Sequence, residues 1–166
     1  MRSDPHSKDR EAGASSRAGR IALALMAAAL FVYVAFIRPA TTVVAADGAG
    51  EPEVLAVTFA SAWCAPCRIL KPTLARVAPR FADEPVRFFE LDYSFGNADS
   101  ARARAAEEGV GDIAARMGGA TGFTMLVDRD TGEVIDTLYA GLSPTDMAAR
   151  INAALAVARA TPRASA

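Results

Sequence analysis

Cys64 and Cys67 are the only two cysteines among 166 residues, and they stand two residues apart in Trp63-Cys64-Ala65-Pro66-Cys67. A structural disulfide stabilises mainly by restricting the unfolded chain, and so works best across a long loop. A ring this short restricts little, so the pair suits opening and closing better than stapling. A zinc site needs four ligands, and the single histidine, His6, lies far away in a polar tail. The spacing therefore points to thiol–disulfide exchange. In that chemistry one thiolate attacks a disulfide and a neighbouring thiol resolves the mixed product.

The elements around the pair suit this reading. Val54 to Ala60 is a short apolar run with β-branched and aromatic residues, read as a buried strand over 53–60. The chain then turns into a helix expected over 65–81, with Leu70, Leu74, Val77 and Phe81 on its inner face. Pro72 should kink this helix, and Pro79 bears on its end. Cys64 thus falls where a strand gives way to a helix. Free backbone N–H groups and the helix dipole favour an anion there, and a thiolate is one. Cys67, one turn on, is expected to be the more buried, resolving thiol. Pro66 fits a first turn that needs no donor. Trp63 is expected to cover the sulfur with a flat apolar ring, with Ala65 completing the active-site turn.

Further strands are expected at Val86–Asp92, Phe123–Asp128 and Glu133–Tyr139, the last two joined by a tight turn at Asp130-Thr131-Gly132. Ala98–Glu108 and Asp112–Met117 read as helices separated by Gly109-Val110-Gly111. Ser143-Pro144-Thr145-Asp146 opens a final helix, with a capping serine, proline in the first turn and an acidic residue. Met147, Ile151, Leu155 and Ala158 mark its inner face. The order β-α-β-α-β-β-α implies an α/β domain with a mixed four-stranded sheet flanked by helices. It spans residues 53–159, a size sufficient for one core.

Ahead of the domain, Ile21 to Ile37 is apolar throughout, without charge, Gly or Pro. It stands at the short end of the range of about 17–25 residues for a membrane-spanning helix. Arg2, Lys8, Arg10, Arg17 and Arg20 precede it and Arg38 follows closely. The positive-inside rule then keeps residues 1–20 in the cytoplasm and exports the rest. The rival is a cleaved signal peptide, with Val43 and Ala45 or Val44 and Ala46 before the cut. Either way the domain reaches the periplasm. Residues 38–52 read as a linker and 160–166 as a frayed tail. The net charge of −1, in which all but Lys8 and Lys71 of the 18 basic residues are arginine, excludes an electrostatic case for nucleic acid.

The stretch Ala62-Trp63-Cys64-Ala65-Pro66-Cys67-Arg68, with Pro72 five residues after the second cysteine, resembles the thioredoxin superfamily. The resemblance implies a thioredoxin-like fold, Cys64 as nucleophile and Cys67 as resolving thiol, with no cofactor or metal. With the apolar segment in front, the chain is similar to membrane-anchored thioredoxin-like proteins of the bacterial envelope. That implies exported thiol or disulfide proteins as partners and a membrane thiol electron donor, in the inner membrane. A reductase is the reading favoured, with a disulfide-introducing oxidase and a Cu(I) or iron–sulfur binding module as alternatives. Four departures stand out. The N-terminal strand and helix of the longer family members have no room here. The family's buried acid falls on Thr58, which offers a hydroxyl but no carboxylate, leaving Glu90 on the next strand as the other candidate proton relay. The family's cis-proline falls on the proline-free Thr121-Gly122-Phe123-Thr124-Met125, with Phe123 matched to the proline and Thr124 next. The stretch Ala98–Gly111 is also longer than the family's usual connection.

Overall fold

Val54–Ala60 (β1) is a seven-residue strand in which every residue is buried. Such a run cannot lie at an edge, because both faces must be covered. It sits inside a four-stranded sheet of order β2-β1-β3-β4. β2 (Val86–Asp92) pairs with it in parallel, Thr58 opposite Glu90 and Ala60 opposite Asp92. β3 (Phe123–Asp128) pairs on the other side, antiparallel, with Thr58 opposite Thr124. β4 (Val134–Tyr139) closes the hairpin, with a register shift at Leu126 and Val127.

This is the topology of a computed structural model that describes residues 23–28 and 50–161. The chain divides into two units, Met1–Thr41 and Thr42–Ala166. In the first, residues 23–28 are helical and Leu23, Leu25 and Met26 are exposed. The remainder of the apolar run 21–37, the tail 1–20, most of the linker 38–52 and residues 162–166 lie outside the described residues. Among those described, no helix is long and apolar enough to cross a membrane. The spanning helix expected at Ile21–Ile37 lies, apart from residues 23–28, outside the described residues.

Alternation along β1 feeds two cores. Val54 and Ala56 point to one face, where helices α1 (Cys67–Val77) and α4 (Pro144–Ala160) bring Leu70, Leu74, Met147, Ile151 and Leu155. Leu55, Val57 and Phe59 point to the other, under α2 (Ala98–Glu107) and α3 (Gly111–Met117), which supply Ala101, Ala105, Ile113 and Ala114. Small residues on α2 let it lie close to the sheet.

The helix expected over 65–81 is shorter than the sequence suggested. Ala65 and Pro66 form a turn, α1 begins at Cys67, and after Val77 the chain tightens into a 3₁₀ turn over Ala78–Phe81. Pro79 stands in that turn. It lacks the N–H that another α-helical turn would use. Pro72 lies within α1. Ser143 caps α4 as expected, accepting from the Asp146 N–H at 3.1 Å.

Candidate active site

β1 delivers its chain end to the start of α1, and the cysteines lie at that junction. Cys64 and Cys67 are joined by a disulfide, with Cα atoms 5.3 Å apart. Both are buried, at 6% and 3% exposure, and together with Ala60 they form a small cluster of their own. Pro66 precedes α1 and offers no side-chain cap. The Cys67 N–H instead points at Cys64 Sγ, 3.2 Å away. The sulfur therefore takes the place of a capping oxygen, three residues before the donor it satisfies. Once the bond is reduced, the same donor and the helix dipole favour the Cys64 thiolate. Cys67 Sγ faces inward, 3.9 Å from the Phe59 carbonyl oxygen.

The loop before β3 forms one wall. Gly122 donates to the same Phe59 carbonyl at 2.8 Å, and the Ser61 and Thr121 hydroxyls lie 3.4 Å apart. Gly122 has φ +106°, and a Cβ there would lie 3.2 Å from Pro66 Cβ and 3.5 Å from Cys64 Sγ. Only glycine combines that backbone angle with so close an approach. On this loop Gly122, one before Phe123, thus lies beside Cys64 and Pro66. The Phe123 ring stacks on Phe59, centroids 5.0 Å apart, against the second core. Among the described residues all peptide bonds are trans.

The loop after β2 forms the other wall. Tyr93 N–H donates to the Ala60 carbonyl and Ala62 N–H donates to Ser94 Oγ, both at 2.8 Å. Asp92 holds this loop in shape, accepting from Ser94 N–H at 2.9 Å, from the Ser94 hydroxyl and from Asn97 Nδ2 at 2.7 Å. Burial alone would raise the Asp92 pKa. The Ser94 and Asn97 hydrogen bonds, helped by the Lys71 charge, outweigh it and hold the carboxyl below its ordinary value. Trp63 is 53% exposed and rests on Phe95, ring centroids 4.4 Å apart.

Of the two candidate proton relays, Thr58 is fully buried and its hydroxyl lies 2.8 Å from that of Thr124. Glu90 accepts from Lys71 Nζ at 2.9 Å, and its second oxygen is buried without a hydrogen-bond partner. Lys71 stands one helical turn beyond Cys67. The sequence reading passed over Gly122, Asp92, Ser94 and Phe95. Their part depends on which loops meet, although Ser94-Phe95-Gly96-Asn97 already showed an aromatic inside a polar turn.

A thioredoxin family model matches residues 44–111, which include β1, the cysteine turn, α1, β2 and α2. The fold of the described domain is thioredoxin-like. Trxlp from Edwardsiella tarda EIB202 has a similar structure at 16% identity, covering 64% of this chain and 86% of its own, with TM-score 0.40. A structure concerned with thiol resolution in yeast mitochondrial 1-Cys peroxiredoxin is similar at 23% identity, covering 62% and 80%, with TM-score 0.39. No curated protein matches the chain. The thioredoxin-like domain holds its Cys-x-x-Cys pair at the strand–helix junction, and this arrangement supports thiol–disulfide oxidoreductase activity.

Proposed function

We propose that this chain is a thiol–disulfide oxidoreductase of the cell envelope that reduces disulfides in exported proteins, tethered to the inner membrane through residues 21–37. The observation that carries the exchange chemistry is the Cys67 N–H aimed at Cys64 Sγ at the head of α1. In the reduced protein the Cys64 thiolate attacks a partner disulfide. A bond forms between Cys64 Sγ and one partner sulfur, and the other partner sulfur leaves as a thiolate. Cys67 then loses its proton and attacks Cys64 Sγ. The Cys64–Cys67 bond forms, the second partner sulfur leaves, and two electrons have passed to the partner. Thr58 offers no carboxylate to take the Cys67 proton. Glu90, reached by Lys71 from α1, supplies a carboxylate on that side of the sheet.

The apolar run, the basic residues before it and the single arginine after it support the membrane tether. An envelope reductase works in an oxidising compartment, so it needs electrons from a membrane thiol donor. The test is disulfide reduction in a protein substrate such as insulin, alongside the reduction potential of the pair. The wild-type chain should reduce insulin, Cys64→Ser should abolish this, and Cys67→Ser should accumulate mixed disulfides. A potential near that of strong oxidases, about −120 mV, would reverse the direction proposed.

A further inference from the structure

Phe95 is 92% exposed, which leaves almost its whole ring in water. Its ring contact is with Trp63, itself half-exposed and next in sequence to Cys64. Single exposed apolar residues are ordinary. Here two large rings meet beside a reactive sulfur, and the loop that carries one of them is not slack. The Asp92 carboxylate takes three hydrogen bonds from Ser94 and Asn97. Ser94 Oγ in turn receives the Ala62 N–H, inside the cysteine turn itself. A ring pre-positioned in this way loses little freedom when something docks on it.

We propose that Trp63 and Phe95 form an aromatic platform that selects polypeptide partners with a large apolar side chain beside the cysteine attacked by Cys64. This rests on the exchange reading above and names its substrate class. The occupant follows from the chemistry. A mixed disulfide holds the two cysteine Cα atoms about 4.4–6.8 Å apart. An extended segment advances about 3.3 Å per residue. Side chains one or two positions from the partner cysteine therefore fall over Trp63, the residue adjoining Cys64, and over the Phe95 ring tilted against it. The rings offer apolar area, so an apolar side chain gains more from this surface than a small polar thiol does.

The test uses the full-length chain and two synthetic peptides that differ only around a disulfide-bonded cysteine, one flanked by Phe and one by Ser. Wild type should prefer the Phe-flanked peptide about tenfold in kcat/KM, mainly through KM, equivalent to about 1.4 kcal/mol. Phe95→Ser should cut this preference to about twofold or less, and Phe95→Leu should restore most of it. The potential of the Cys64–Cys67 pair should be the same in all three proteins. Equal preference in wild type and Phe95→Ser would overturn the proposal alone, as would a shifted potential, which would make Phe95 a tuner of the sulfur. Failure of wild type to reduce either peptide would overturn the exchange reading and the platform together.

Discussion

Thr58 and Thr124 face each other across β1 and β3, both without exposed surface, their hydroxyls 2.8 Å apart. In the thioredoxin-like pattern Thr58 stands where an acid is expected, and Thr124 follows the position of the missing proline. The two departures are therefore one feature. A buried carboxylate beside the Thr124 hydroxyl would need a further partner, whereas two hydroxyls satisfy each other, one donating and one accepting. This makes a sharp prediction. Thr58→Val alone strands the Thr124 hydroxyl and should cost about 1–3 kcal/mol in denaturant unfolding, whereas Thr58→Val with Thr124→Val should cost clearly less than the two single changes added. Simple additivity in that double-mutant cycle would show that the hydroxyls are not coupled. Gly122 belongs at the same scale. Its absent side chain leaves the β3 loop room beside Cys64 and Pro66, the atoms that a Cβ there would crowd.

At the scale of elements, the strands were legible because their signal is local. β1, β2 and β3 follow the apolar runs to within a residue, and the Ser143 cap of α4 follows from four adjacent residues. The break of the cysteine helix at Val77 was legible in part, through Pro79. The two loops that wall the site were not, since nothing local says that Ser94 will meet Ala62 or that Gly122 will meet Cys64. The Asp92 loop nevertheless obeys simple electrostatics. Its folded pKa lies below the unfolded value, so its stabilisation is complete above the unfolded pKa, about pH 4, and is lost as pH falls through the folded one. Acidification below about pH 4 should therefore loosen the loop. Trp63, the only tryptophan, reports on it through its contact with Phe95. Its fluorescence should change over this range in wild type and stay flat in Asp92→Asn. An identical acid transition in both proteins would assign the change to other carboxylates.

For the whole molecule, the two cores on opposite faces of the sheet hold the fold, and the disulfide adds little. A loop as short as that between Cys64 and Cys67 contributes about 2 kcal/mol at most by the chain-entropy relation. The pair can then change state while Leu70 and Leu74 on one side and Phe59 and Val57 on the other stay buried. Such independence suits a redox domain, since reduction and oxidation need not be coupled to unfolding. Where the domain works depends on residues 21–37. An uncleaved tether predicts that the chain stays in the membrane fraction after an alkaline wash and keeps its N-terminal mass. With the basic residues held inside, the reduced pair should react with a membrane-impermeant thiol reagent in spheroplasts without lysis. A chain released by the wash, with a new N-terminus after Ala45 or Ala46, would mark the segment as a cleaved signal. A thiol protected until lysis would place the domain in the cytoplasm, where reducing power is already supplied and no membrane donor is needed.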